Sequence, residues 1–143
     1  MARVKIDLPE KFLFSTNIKV RIGDVNYGGH VGNDAILAIA HDARLQFLHS
    51  LGYSELDVEG TSLIMADSAV IYKGESFFGD TLKVEIGVND IHKLGFDLIY
   101  KISNIENNKD IAHIKTGMIC FDYENRKIAA LPEKAKNNLI AKP

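Results

Sequence analysis

Between Arg21 and Asp34 the chain reads RIGDVNYGGHVGND, crowding two acids, two asparagines, one histidine and four glycines between two apolar runs. Asp24 and His30 are the candidate acid–base groups there, and Asn26 can orient a water or hold a carbonyl through its amide. Gly28, Gly29 and Gly32 would let a ligand approach the backbone closely. The plainest reading of these residues is a connecting loop, since Gly reaches positive φ freely and Asx side chains bond nearby amides. On that reading Asp24 and Asn26 make Asx turns and His30 bonds the loop backbone. The residues that follow add a second reading. Asn33 and Asp34 stand where a helix begins, and free N–H groups there, with the positive end of the helix dipole, stabilise negative charge.

The elements around this loop follow from periodicity. Residues 12–22, FLFSTNIKVRI, end in alternation, with Ile18, Val20 and Ile22 on one face and Lys19 and Arg21 on the other, which predicts a half-buried strand. Residues 35–52, AILAIAHDARLQFLHSLG, predict a helix opening behind Asn33 and Asp34 as candidate N-caps and closing on Gly52 as a C-cap. At 1.5 Å per residue it runs about 27 Å, and its first two turns are apolar almost all round, so burial on every side is expected. His41 shares the face of the helix start about 10 Å along it, either as a satisfied helix residue or as a participant in chemistry. Arg44 is expected to pair with an acid and pack along the helix. Four further strands are predicted over 62–74, 80–91, 94–105 and 110–123, with FFGD, KLG and ENNKD as the turns. Their short connections predict a four-stranded antiparallel meander. Pro132 is placed at N1 of a short terminal helix. The expected fold is α+β, one domain over residues 1–143, with an antiparallel five-stranded sheet wrapped around one long central helix.

Composition narrows the function classes. A chain of 143 residues that is 46% hydrophobic can build a core without staples. The formal net charge is -2 and the basic residues form no run, so no nucleic-acid partner is expected. The single cysteine, Cys120, cannot form a disulfide within the chain, no metal-ligand spacing is present, and the thiol is expected in the core of a protein from a reducing compartment. MARVKIDLPEKF lacks the apolar core of a signal peptide and no apolar run approaches the roughly 18 residues of a membrane span, which predicts a cytoplasmic protein without a membrane partner. The glycines of NYGGHVG fit neither the dinucleotide nor the Walker spacing, and no cofactor or metal is expected.

Three segments resemble the hotdog-fold acyl-CoA thioesterases of the 4-hydroxybenzoyl-CoA thioesterase type, over roughly residues 15 to 125. VRIGDVNYGGHVGND resembles that family's loop of Arg, Asp-x-Asp or Asp-x-Asn, then Gly-His-Val and Asn. HDARLQFLHSLG resembles the later part of its central helix, and VIYKGESFFGDTLKVEIGV its tyrosine, Gly-Asp and alternating strand. The resemblance implies an acyl-CoA or acyl-ACP thioesterase working as a homodimer or homotetramer, with sites at the subunit interface. It places the oxyanion-facing amide on Asn33, and Gly28, Gly29, Val31 and Gly32 along the substrate. The family's second loop acid falls on Asn26, which cannot ionise, leaving Asp24 as the loop carboxylate and His41 where close relatives carry Glu. Asp67 and Ser68 interrupt the apolar run of a strand the family puts at the dimer seam, either reaching the partner's site or pairing across the seam.

Two rival functions share the scaffold. GDVNYGGH also resembles the Gly-Asp-x-Asn-Pro-x-His motif of (R)-specific enoyl-CoA hydratases, but Tyr27 replaces the proline, and Asp24 and His30 are one residue further apart than that dyad. The absence of an acid at Asn26 is also what a non-catalytic acyl-CoA or apolar ligand binder would show.

Overall fold

Alternating β-branched residues in the second half of the chain assemble into one antiparallel sheet. The computed structural model describes residues 3–140. Its strands are β1 (Phe14–Lys19), β2 (Ser62–Tyr72), β3 (Thr81–His92), β4 (Gly95–Asn104), β5 (Asp110–Asp122) and the short β6 (Lys127–Ile128). Its helices are α1 (Asn33–Ser50) and α2 (Glu133–Asn138). β2 to β5 begin and end within two residues of the ranges expected from sequence. β6 adds two unexpected residues, paired with β5 through Phe121 and Ile128.

The strand order is β1-β3-β4-β5-β2, which corrects the four-stranded meander. Only β3, β4 and β5 follow one another, while β2 pairs with β5 from Ser62 opposite Phe121 to Tyr72 opposite Ala112. The FFGD segment does form a turn, with the Phe77 N–H donating to Asp80 Oδ2 (2.9 Å) and the Asp80 N–H to Phe77 O (3.1 Å). That turn only leads into β3 and joins no hairpin, because the residues before it pair with the glycine loop. The Val31 N–H donates to Ser76 O (2.9 Å), and His30 stands opposite Phe77 in an antiparallel bridge. β1 stops at Lys19, and Ile22, expected on its buried face, is exposed where the chain turns into a single 3-10 turn over Ile22–Asp24.

α1 buries its residues in pairs four apart: Ala35 and Ile36, Ile39 and Ala40, Ala43 and Arg44, Phe47 and Leu48, all apolar but Arg44. This stripe packs on Leu82, Val84, Ile86, Leu98, Tyr100 and Ile114 of the sheet, and each large side chain so buried contributes about 1.5–3 kcal/mol. The expected burial on every side is not seen. Leu37 is 36% exposed and Leu45 44%, because the sheet of a single chain covers one face only. The helix ends with Gly52 at φ +81, one residue past the C-cap Leu51. Its N–H donates to His49 O (2.9 Å) and that of Tyr53 to Leu48 O (2.8 Å), closing the last carbonyls in a Schellman motif. Cys120 lies fully in the core, where burial pushes its thiol up. Pro132 caps α2 from outside, at φ -60, one position before the N1 site expected for it.

Candidate active site

The glycine loop folds as a small hairpin whose shape its own sequence dictates. Val25 and Val31 bridge across it, the Asn26 N–H donates to His30 O (2.8 Å), and the Gly29 N–H donates to Asn26 O (3.1 Å). Gly29 sits at φ +87, a conformation open to glycine at little cost. Asn26 Oδ1 accepts the Gly28 N–H (2.9 Å), so the side-chain oxygen serves an Asx turn as the loop reading expects. Asp24 is buried and turned the other way. Its Oδ2 accepts the Arg21 N–H (2.9 Å) and its backbone oxygen accepts the Gly32 N–H (3.0 Å), which ties the hairpin base to the helix entrance.

Beyond the hairpin, Gly32 is the N-cap and supplies no side-chain cap; Asn33 and Asp34, expected as caps, instead occupy the first helical positions. A side chain on residue 32 would meet the Asp34 carboxylate, which lies 2.6 Å from where a Cβ would stand. The Ala35 and Ile36 N–H groups turn back to Gly32 O (3.0 and 3.3 Å). Among the described residues no acceptor serves the N–H groups of Asn33 and Asp34. These are the orphan donors of a helix start, available to an anion.

A cavity of about 230 Å³ opens beside this helix start, lined by Asn26, His30, Val31, Asn33, Ile36, Tyr72, Gly74, Glu75, Ser76 and Ile111. The Tyr72 hydroxyl donates to Asn33 O (3.3 Å), joining the end of β2 to the first turn of α1. His30 Nδ1 lies 3.2 Å from Glu75 Oε1, and its ring rests on Phe77 with centroids 5.6 Å apart. Both partners of this pair are well exposed, so the contact is worth little to stability; its effect is to orient the imidazole and leave Nε2 available.

The remaining candidates go elsewhere. Asp24, Gly28, Gly29 and Gly32 shape the loop without lining the cavity. His41 faces a second cavity of about 240 Å³, lined also by Leu37, Ala38, Ala40, Arg44, Met65 and Thr116. Its Nε2 meets Glu55 Oε1 at 2.9 Å, and the same oxygen accepts from Arg44 Nε (3.3 Å). Arg44 therefore has the acid partner expected for it, and it also donates to the Tyr100 hydroxyl (3.2 Å), itself 2.7 Å from Thr116 Oγ1. Burial pushes the Tyr100 hydroxyl up against the pull of Arg44, keeping it neutral. Asp67 is held by Lys115 Nζ (2.8 Å to each oxygen), which draws its carboxyl below the ordinary value, and by the Gly117 N–H (3.1 Å). Ser68 is exposed on β2.

Glu75 and Ser76 were not singled out from sequence. They lie inside the VIYKGESFFGD segment, but only the pairing of residues 30 and 31 with 76 and 77 brings them to the loop. Glu55 was missed for the same reason, its partners being 11 and 14 residues away along the chain.

Comparison with known proteins agrees with this fold. The family model of the thioesterase-like superfamily matches residues 20–139. No curated protein matches the chain significantly in sequence. Among solved structures it is similar to a 1,4-dihydroxy-2-naphthoyl-CoA thioesterase from Synechocystis, with TM-score 0.80 and 23% identity over 88% of this chain and 94% of that one. A thioesterase-superfamily protein from Jannaschia gives TM-score 0.80 and 17% identity over 92% and 83% of the two chains. A gentisyl-coenzyme A thioesterase gives 0.78 and 16% over 89% and 100%. The architecture is the hotdog fold.

Proposed function

This chain belongs to the thioesterase-like superfamily, and from that premise we propose that it hydrolyses an acyl thioester of coenzyme A in the cavity between the glycine loop and the start of α1. The observation that carries the reading is the unpaired Asn33 N–H at the entrance of a helix, on a cavity that also holds an imidazole backed by a carboxylate. The thioester oxygen takes the Asn33 N–H, and the helix dipole supports the charge that develops there. Water attacks the carbonyl carbon as His30 Nε2 takes its proton. The tetrahedral intermediate then collapses with cleavage of the C–S bond, and His30 returns the proton to the departing thiolate. His30 thus takes the part that Asn26 cannot play, while Glu75 positions it. Asp24 supports the loop, and His41, paired with Glu55, belongs to the second cavity.

The carrier has a place beside this cavity. A groove of about 670 Å³ shares Gly74, Glu75 and Ile111 with it and carries Lys73 and Lys109, cations suited to the phosphates of coenzyme A. Acyl-ACP presents the same phosphopantetheine arm and is the alternative carrier. The reading is tested by the products from an unsaturated acyl-CoA. Hydrolysis gives free thiol and an unsaturated acid; a hydratase would instead give an acyl-CoA heavier by one water with no thiol released.

Assembly as a homodimer or homotetramer accounts for what one chain leaves open. β2 is a sheet edge with Met65 50% exposed, and the uncovered face of α1 presents Leu37 and Leu45. An apolar edge of this kind aggregates unless it is paired, and a second copy pairing along β2 covers it. Light scattering at micromolar concentration is expected to give a dimeric or tetrameric mass. A monomeric mass would contradict the assembly.

A further inference from the structure

We propose that residues 3–7 form an arm that crosses the free edge of β2 and clamps a second copy of this chain, with Arg3 set on the partner's Asp67 and the partner's Asp97. The inference rests on the paired assembly proposed above and names the segment that secures it. Ahead of β1 the chain runs back over the outer face of the sheet, opposite the face that carries α1. The Leu13 N–H donates to Ile86 O (2.8 Å), and Pro9 fills the space that a side chain on Gly87 would need. Asn89 Nδ2 donates to Asp7 O (3.0 Å). Lys5, Ile6 and Asp7 then roof a cavity of about 270 Å³ with Ile99, Lys115 and Ala69 among its other walls. Gly87, Ile99, Lys115 and Ala69 are successive cross-strand partners in β3, β4, β5 and β2. The arm therefore follows one row of the sheet from Pro9 to the edge strand. Three strand spacings are about 14 Å, and the four residues from Pro9 to Lys5 span about 13 Å when extended. Arg3 and Val4, both exposed, project past the edge.

The outer face holds charge that matches such an arm. Gly117 has no side chain, and the carboxylates of Asp67 and Asp97 converge over it, so that a Cβ there would meet Asp67 directly and lie 3.5 Å from Asp97 Oδ1. One ammonium serves both acids, with Lys115 Nζ 2.8 Å from each Asp67 oxygen and 3.9 Å from Asp97 Oδ1. Two carboxylates share one cation, which leaves room for a second. The midpoint of β2 (Ser62–Tyr72) is Asp67, so a second copy pairing antiparallel along this edge has its two-fold axis near that residue. Each arm, passing over its own Ala69, then leads onto the other copy beside the partner's Asp67. Two further extended residues add about 7 Å, and the Arg3 fork can take both of the partner's carboxylates at once. Val4, 58% exposed in one chain, is covered on the seam. A basic arm meeting an acidic patch fixes the partner by charge.

The test is the dimer Kd from sedimentation over a dilution series at low and high salt. A chain lacking residues 2–8 and the variant Arg3→Glu are each expected to raise Kd by about 10-fold or more, and salt is expected to weaken the wild type more than either of them. Arg3 is exposed, so Arg3→Glu is expected to melt with the wild type and report on the contact alone. Mixing separates a contact between copies from one within a chain. When Arg3→Glu chains are mixed equally with Asp97→Asn chains, the mixed dimer regains one native contact, and native mass spectrometry is expected to find it above the statistical half. Dimers in statistical proportion overturn the proposal, since Arg3 then serves its own chain. A wild-type Kd in both arm variants overturns it also, with the assembly itself intact. Larger assemblies from the shortened chain at an unchanged dimer Kd overturn it too, and leave the arm as a cover for the sheet. A monomeric wild type removes the assembly and the clamp together.

Discussion

Asn33→Pro is expected to lower kcat by about 10²- to 10³-fold while leaving the helix intact, the scale for loss of one preorganised donor to an oxyanion. Proline is the substitution that isolates the backbone donor. It removes the N–H of residue 33 and nothing else that the helix uses, because the first helical positions have no intrahelical acceptor for their N–H. Its fixed φ suits the first position of a helix, where proline is common. The residue before it must be extended, and Gly32 already is, at φ -69 and ψ 154. The Asn33 carbonyl that receives the Tyr72 hydroxyl is also retained. A thermal melt close to wild type together with the large fall in kcat is the expected pair of results. Full activity in a folded Asn33→Pro protein would remove the Asn33 amide from the chemistry.

The second large effect belongs to the imidazole. His30→Ala is expected to lower kcat by about 10²- to 10⁴-fold, the contribution of a positioned general base, with added imidazole restoring part of the rate. Restoration by imidazole separates a base from a loop support, since free imidazole can carry a proton but cannot rebuild a hairpin. Glu75→Gln keeps the shape and loses the charge that holds Nδ1, and is expected to cost about 10-fold in kcat, with Glu75→Asp recovering part of it. An exposed pair of this kind contributes at most about 1 kcal/mol to stability, so neither Glu75 variant should shift the melt appreciably.

Much of the scaffold was legible because its signals are local. Leu82, Val84, Ile86 and Val88 alternate in the chain and therefore in the strand, and Gly52 ends α1 since it alone takes φ +81 there without strain. What sequence left unread depends on contacts between distant residues. Short connections around β2 suggested that it neighbours β3, yet its residues pair with β5, and no local pattern states which of two antiparallel partners a strand takes. The same crossing brings Glu75 and Ser76 to His30. Asp24 and Asn26 illustrate the limit from the other side. Their types suit catalysis and turns equally, and only the bonds to the Arg21 and Gly28 amides show that their oxygens are engaged in the loop. The apolar first turns of α1 gave burial but not by what; one face lies on the sheet, and the other is open in a single chain.

The most direct test of thioester hydrolysis at the loop cavity is the release of free thiol by the wild-type protein from a panel of acyl-CoAs spanning short and medium aliphatic and aromatic acyl groups, with and without hydroxyl substituents. Saturable thiol release on at least one member, in step with appearance of the free acid, is the expected result. Saturable binding of acyl-CoA with no thiol released from any member would contradict hydrolysis and leave a binding protein on a thioesterase scaffold.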